Sequence, residues 1–151
     1  MFSHILVPLD ESKLSELALA SAREIIAPNG KITLVYVLDE VNAPPNRIDI
    51  TEGELHQRTA EEHARKYLED RAASLRESAL TVTTIVESGR PAECIVDAAA
   101  THKDIELIVM STHGRSGFSR WIMGSVTQKV LAAAHCPVLV IPAREGTSKT
   151  G

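Results

Sequence analysis

Short apolar runs alternate along this chain with longer segments in which apolar residues recur every three or four positions. The short runs are typical of strands that are buried on both faces of a sheet, and the longer spacing is typical of amphipathic helices. The pattern predicts strands at Ile5–Val7, Lys31–Leu38, Thr81–Glu87, Leu107–Met110 and Val138–Ile141.

Helical segments separate these strands. Each begins at a residue that favours helix starts, and these residues are Ser12, Thr51 (in a capping box with Glu54), Pro91 and Ser125. The turn Pro28-Asn29-Gly30 should end the first helix, the second should reach about residue 78, and the fourth should end near His135. Because strands alternate with helices, the sequence predicts an α/β fold, a parallel sheet with helices on both faces.

The segment 107–126 carries the clearest functional signal. Its apolar run stops at Ser111, a glycine-rich loop follows, and Ser125 opens the last helix. Unpaired N–H groups at a helix start bind anions, and glycines let the backbone approach a phosphate closely. The segment therefore predicts a phosphate-bearing ligand, a nucleotide above all. The loop Pro8–Asp10 would be its neighbour if the first and fourth strands are adjacent, since ligands bind where the strand order reverses.

Composition narrows the class of protein. The 151 residues predict one domain, and a net charge of −4 with 3% aromatic residues argues against a nucleic-acid partner, which needs basic and stacking side chains. The chain shows no signal-peptide pattern and no apolar run near the roughly 18 residues of a membrane span. Cys94 and Cys136 fit no metal or redox spacing. We therefore expect a cytoplasmic protein that binds no membrane.

Motifs of common hydrolases and phosphotransferases are missing. The sequence contains no Walker lysine, no G-x-S-x-G elbow and no H-E-x-x-H pair. Nothing in the glycine loop is placed to act as a base or to position a water molecule. The sequence therefore predicts no catalytic residue and no metal ligand, and any Mg²⁺ should be carried on a triphosphate.

Four stretches carry a resemblance to a known family. They are Ile-Leu-Val-Pro-Leu-Asp-Glu-Ser at 5–12, Leu-Val-Tyr-Val-Leu-Asp at 34–39, Gly-Arg-Pro at 89–91, and the block from Gly-Ser-Val to Cys-Pro-Val-Leu-Val-Ile-Pro at 124–142. With these stretches the chain resembles the universal stress protein family, in its ATP-binding branch, over about residues 3–143. We expect a universal stress protein domain at 1–143 and a flexible tail at 144–151.

The resemblance implies a fold and an assembly. The implied fold is an open five-stranded parallel sheet of strand order 3-2-1-4-5, with helices on both faces, of the adenine nucleotide alpha hydrolase-like kind. The implied assembly is a homodimer in which the fifth strands, Val138–Ile141, pair edge to edge and so cover an exposed edge.

The resemblance also implies a set of ligand-binding residues. The family's ATP motif is G-x2-G-x9-G-[S/T]; this chain matches it from Gly114 to Gly124-Ser125 but has Ser111 at the first glycine. The serine either reduces affinity or adds a hydroxyl contact. The implied contacts are Pro8 and Asp10 with the ribose and adenine, Val37 with the adenine through its backbone, Met110 and Ser111 near the sugar, and Gly114, Gly124, Ser125 and Val126 around the phosphates.

The function implied by the resemblance is ATP binding, with Mg²⁺ on the nucleotide, in a sensor of the stress response. Nucleotide occupancy would alter a surface that a regulatory protein partner reads. The alternatives are a slow ATPase and a dimeric stress protein that binds no nucleotide.

Several of these residues also have a purely structural interpretation. Ser125 with Gln128 matches a capping box, and Asp10 can cap the first helix. Arg115 and Arg120 either neutralise phosphate or lie in solvent, and Trp121 either stacks on a ligand or packs against the sheet or a partner. The sequence leaves these alternatives open.

Overall fold

The structure is a computed structural model of the chain that describes residues 1–39, 50–113 and 122–143, with the backbone alone at 50–54. In these ranges the chain forms a parallel five-stranded sheet of order β3-β2-β1-β4-β5, which confirms the predicted α/β class and strand order. The strands are β1 Phe2–Pro8, β2 Ile26–Asp39, β3 Thr81–Gly89, β4 Leu107–Ser111 and β5 Val138–Ile141. The helices are α1 Lys13–Ile25, α2 Ile50–Arg76, α3 Pro91–Thr101 and α4 Ser125–Ala133.

Helices cover both faces of the sheet. Buried residues of α1 and α2, such as Leu19 and Leu68, pack with Ile5 and Leu34 in one apolar cluster. Residues of α3 and α4, such as Ile95 and Val130, pack with other residues of β1, β2 and β4 in a second cluster. The inner strands β1, β2 and β4 are therefore buried from two sides, which explains why each contains a continuous apolar run rather than an alternating one.

The junction between α1 and β2 differs from the prediction. The helix ends at Ile25 and the next strand begins at once at Ile26, so Pro28-Asn29-Gly30 lies within β2 rather than at the end of α1. The pairing of β1 with β2 shifts here, from Phe2↔Ile26 to His4↔Lys31. Asn29 has a φ of 59°, as a turn residue would. The turn signal therefore marks an irregularity within the strand, between the pairing of Phe2 with Ile26 and that of His4 with Lys31.

The remaining predicted boundaries lie within a few residues of the observed ones. Ser12 caps α1, because its side chain accepts a hydrogen bond from Ser15 N. Pro91 occupies the first turn of α3, as predicted. Strand β5 has the predicted bounds, Val138–Ile141. The tail predicted at 144–151 lies outside the described residues.

Candidate functional site

The carboxyl ends of β1, β2 and β4 lie side by side at one edge of the sheet. Strand β1 pairs in parallel with β2 (Pro8↔Val35) on one side and with β4 (Leu6↔Ile108) on the other. Because β1 and β4 are adjacent, as the predicted strand order requires, the chain leaves the sheet at neighbouring positions after Pro8 and after Ser111. The strand order reverses here, which is where open α/β sheets bind ligands.

The loop between β1 and α1 has a defined hydrogen-bonded geometry. Leu9 N donates to Val35 O of β2 at 2.9 Å, which ties the start of the loop to the sheet. Asp10 Oδ1 accepts from Ser12 N at 3.0 Å, and Ser12 in turn caps the helix. The interpretation of Asp10 as the helix cap is therefore wrong. Its carboxylate instead orients the residue that does cap α1, and Asp10 remains half-buried at the sheet edge.

The start of α4 is bound directly to the end of β4. Gly124 N donates to Thr112 O at 2.8 Å. The hydroxyl of Thr127, a residue that is 2% exposed, donates to Ser111 O at 2.9 Å and approaches Thr112 O at 3.2 Å. These bonds fix the first turn of α4 against the strand. Thr127 was not predicted, because its partners lie far back along the chain and no local pattern reveals them.

Gly124 is required by the protein's own backbone. A Cβ placed on it would lie 2.8 Å from Thr112 O, closer than atoms in proteins pack. Its φ is −57°, which any residue adopts, so the restriction comes from space and not from torsion. The glycine therefore allows α4 to approach β4 closely, whatever ligand the site takes.

Ser111 has a partner within its own loop. It is 8% exposed, and its hydroxyl donates to His113 O at 2.8 Å. The side chain that replaces the motif's first glycine is thus buried in the turn and stabilises it. His113 is itself 9% exposed and has its Nδ1 3.2 Å from the Thr112 hydroxyl.

The amino terminus of α4 presents its backbone N–H groups at the sheet edge. Gly124 is the N-cap, and on the described part of the chain no side chain caps the helix. Ser125 is the first helical residue and is exposed, so the capping-box interpretation of Ser125 is wrong. Gln128 does reach back, but its Nε2 donates to Met123 O at 2.8 Å. The first N–H groups of an α-helix have no partner within the helix, and together with its dipole they favour an anion.

Apolar side chains form one side of the same region. Met110 is buried in the cluster that α3 and α4 cover, and Val37 and Val126 are half-buried against that cluster. Pro8 follows Leu6 of the same cluster by two positions, so the alternation of the strand places it on the same face. An apolar surface thus lies beside a helix terminus, an arrangement that suits a ligand with a flat apolar part and an anionic part.

The glycine loop itself lies largely outside the described residues. Gly114, Gly117, the two loop arginines and Trp121 all fall within 114–121. The structure therefore places the other predicted site residues at one edge of the sheet and leaves the role of Gly114 a prediction.

Two further properties concern the described ranges as a whole. Among the side chains that the structure describes, at 1–39, 55–113 and 122–143, no group of three or more His, Cys, Asp or Glu is arranged to hold a metal ion. In the same ranges, no helix is both long enough and apolar enough to cross a membrane.

Comparison with known proteins identifies clear relatives. The model of the universal stress protein family matches residues 1–142. A universal stress protein of Thermus aquaticus is 34% identical over 93% of this chain and 99% of its own length. The solved structure of UspA from Lactobacillus plantarum is similar with a TM-score of 0.79 and 31% identity, over 93% of this chain and 97% of that one. That of the protein MJ0577, from Methanocaldococcus jannaschii, has a TM-score of 0.85 and 28% identity, over 96% of this chain and 99% of that one.

Two more distant structures contain adenine nucleotides. One is a universal stress protein in complex with cAMP, with a TM-score of 0.62 and 22% identity over 93% of this chain and 97% of that one. The other is an Arabidopsis thaliana protein of this family with AMP bound, with a TM-score of 0.64 and 16% identity over 94% of this chain and 92% of that one. At these identities the likeness shows that the fold is shared.

Proposed function

Since this chain belongs to the universal stress protein family, we propose that it binds ATP at the carboxyl edge of its sheet and acts as a nucleotide-occupancy sensor in the stress response. The observation that carries the proposal is the attachment of α4 to β4. Gly124 N and the Thr127 hydroxyl hold the helix terminus at the end of β4, the strand that pairs with β1. An anion site is thereby fixed next to the place where the strand order reverses.

The proposed contacts follow from the chemistry of each segment. The phosphates would accept hydrogen bonds from the N–H groups of Ser125 and Val126 and from the exposed Ser125 hydroxyl. The sugar would lie near Asp10, whose carboxylate can accept from ribose hydroxyls. The adenine would pack on the apolar side formed by Pro8 and Val37, and Met110 and Ser111 would lie near the sugar. Gly114 belongs to the proposed phosphate contacts on the family motif alone.

The choice of an adenine nucleotide is supported by the neighbours that contain AMP and cAMP. The more specific proposal, that the adenine nucleotide is ATP, rests on the match to the family motif from Gly114 to Gly124-Ser125. Mg²⁺ would come with the triphosphate, since it binds through substrate phosphates and retained waters. We further propose a cytoplasmic homodimer that pairs through β5, with a protein partner that reads the occupied state.

Analysis of co-purified nucleotide tests the proposal directly. The protein is purified without added nucleotide and denatured, and the supernatant is analysed by chromatography for ATP, ADP, AMP and cAMP. We expect ATP to be recovered, and added ATP with Mg²⁺ to raise the thermal midpoint, because a ligand that binds the native state stabilises it. Absence of nucleotide together with no shift at millimolar ATP would overturn the proposal. ADP that accumulates with time would instead favour the slow ATPase.

A further inference from the structure

Glu11 has an unusual backbone conformation in the loop that carries Asp10. Its φ is 67°, in the left-handed region, where a residue with a long side chain is strained. Such a conformation persists only where the surrounding structure holds it, and residues of this kind cluster at functional sites. The contacts that hold Glu11 therefore show what fixes this loop.

Two separate elements hold the Glu11 carboxylate. The hydroxyl of Tyr36, on β2, donates to Glu11 Oε2 at 3.2 Å. His63, on α2, has its Nε2 2.6 Å from Glu11 Oε1, and this nitrogen is the donor because a carboxylate can only accept. The Glu11 side chain is 27% exposed and that of His63 is 65% exposed, so a surface residue of α2 reaches a partly buried carboxylate.

The contact on the Tyr36 side is itself rigidly supported. Tyr36 is 7% exposed, and its ring meets that of Tyr67, on α2, edge to face with centroids 6.0 Å apart. The Tyr67 hydroxyl donates to Glu16 in the first turn of α1, and Arg71 Nε donates to the same carboxylate oxygen at 2.7 Å. Helix α2 is thereby linked to both the loop and the start of α1.

We propose that Glu11 is a positioning residue of the nucleotide site and that α2 controls this site through it. Asp10 Oδ1 accepts from Ser12 N, so Glu11 lies between the two residues of that bond and its torsion sets their separation. Holding Glu11 from β2 and α2 keeps the Asp10 turn ready for a ligand, which avoids the cost of ordering it on binding. The inference rests on the nucleotide binding proposed above. A partner that displaces α2 would release the turn and weaken binding.

Substitutions of Glu11 and His63 should change the affinity for nucleotide without a matching change in the thermal stability of the protein. Glu11→Gly relieves the left-handed strain but also removes the bonds to Tyr36 and His63, and since these two effects oppose each other the thermal midpoint should stay close to that of the wild type. Its Kd for ATP, measured by titration calorimetry, should nevertheless rise about tenfold because the turn is no longer held. His63→Ala should raise the Kd in the same direction. The matched control, His56→Ala, changes an exposed histidine of the same helix and should leave the Kd unchanged.

A second readout needs no ligand. The Ser12 amide is protected from hydrogen exchange by its bond to Asp10, and it should exchange faster in Glu11→Gly and His63→Ala but not in His56→Ala. Unchanged Ser12 exchange, or wild-type affinity in both variants, would overturn the positioning role. A loss of affinity that only follows a loss of thermal stability would overturn it as well. Wild-type protein that binds no nucleotide would overturn the proposed function, and Ser12 exchange would still decide whether Glu11 holds the turn.

Discussion

Gly124 and Ser125 are adjacent at the start of α4, and the structure restricts them differently. Gly124 lies against Thr112 O, where a side chain would collide, whereas Ser125 is exposed at the first helical position. We expect Gly124→Val to lower stability by about 1–3 kcal/mol through overpacking and to abolish ATP binding with it. Ser125→Ala should leave stability within about 0.5 kcal/mol and weaken ATP binding about tenfold, since one charge-assisted hydrogen bond is lost.

Urea unfolding and titration calorimetry on the two variants separate these effects. Ser125→Ala with wild-type affinity would show that the hydroxyl does not contact the ligand. A substitution at Gly124 alone cannot test ligand contact, because it disturbs the junction between α4 and β4 first.

His4 is a buried histidine at the opposite end of the strands, and it makes stability depend on pH. It is 3% exposed, its Nδ1 lies 2.8 Å from Asp104 Oδ2, and its Nε2 lies 2.8 Å from the Thr33 hydroxyl. With Asp104 ionised, Nδ1 carries the proton and Nε2 accepts from Thr33. Burial lowers the pKa of His4, and the bond to Asp104 opposes that shift without cancelling it.

A lowered histidine pKa gives a definite sign to the pH dependence. Below the ordinary histidine pKa of about 6.5 the unfolded chain takes up the proton more readily than the folded chain, so stability falls as the pH falls. We expect His4→Gln to be less stable than wild type near neutral pH, with a shallower decline between about pH 7 and 5. Urea midpoints over a pH series measure this, with His56→Gln as the exposed control. The carboxylates with lowered pKa, Glu69 and Asp104, lose their contribution only at more acidic pH.

At the scale of residues, the sequence predicts roles that depend on neighbouring positions in the chain. It does not predict roles that depend on contacts with other elements. Ser12 and Pro91 were predicted because capping and first-turn preferences depend on neighbours in sequence. The start of α4 at Ser125 was predicted correctly, but of the two interpretations left open for Ser125 the capping box is wrong, because Gly124 is the N-cap and its N–H bonds Thr112 O. Thr127, Tyr36 and His63 were missed as functional candidates because their partners lie on other elements.

At the scale of elements, the Thr127 hydroxyl is the side-chain group that bonds α4 to the end of β4. Thr127 is buried and bonds Ser111 O and Thr112 O, so Thr127→Val removes both contacts while keeping nearly the same shape. We expect a loss of about 1–3 kcal/mol in stability, because Ser111 O loses its side-chain partner, and weaker ATP binding, because the helix terminus moves. Thr127→Ser keeps the hydroxyl and should bind ATP nearly as the wild type does. Equal ATP affinity in the Val and Ser variants would contradict the role given to this bond.

The boundaries of strands are likewise predicted well where neighbouring residues set them and poorly where pairing with another strand sets them. Strand β5 was predicted with its observed bounds because prolines flank a short apolar run. The start of β2 was predicted five residues late because the pairing of Ile26 with Phe2 involves another strand. Gly30 fits the irregularity, since a Cβ there would lie 2.7 Å from the Ile26 side chain. The turn signal therefore predicted the position of the distortion correctly, but it did not predict that the distortion lies inside a strand.

At the scale of the molecule, the apolar pattern predicts the class of fold but not the strand order. Runs such as Ile5–Val7 and Leu107–Met110 indicate buried strands, but nothing in either run says that they pair. The order came from the family resemblance, and the pairing of Leu6 with Ile108 confirms it. The candidate site depends on that pairing, because it places the end of β1, which leads to Asp10, beside the end of β4, to which α4 is bonded.

The same sheet leaves β5 at an edge, and its hydrogen-bond pattern shows which groups a second copy could use. Ile108 N donates to Pro137 O and Thr112 N donates to Ile141 O. The main-chain N–H and C=O groups of the odd-numbered residues of β5 therefore point to β4. Because the N–H and C=O of successive residues point to opposite sides, Val138 and Val140 direct theirs to the open edge. Leu139 and Leu131 are 37% and 43% exposed on β5 and α4, and pairing of two edges would cover apolar surface of this kind.

The proposed dimer can therefore be tested by removing one main-chain N–H group from the open edge of β5. Val140→Pro removes an N–H that faces the open edge and leaves the bonds to β4, a position where an edge strand tolerates proline. We expect the wild type to sediment at twice the chain mass. Val140→Pro should sediment as a folded monomer, because proline removes the Val140 N–H donor and its ring disturbs the extended backbone that pairs across the edge. Val140→Thr keeps a β-branched residue and the N–H, and should remain dimeric. Dimeric Val140→Pro would show that the chains associate through another surface, and a monomeric wild type at micromolar concentration would overturn the dimer itself.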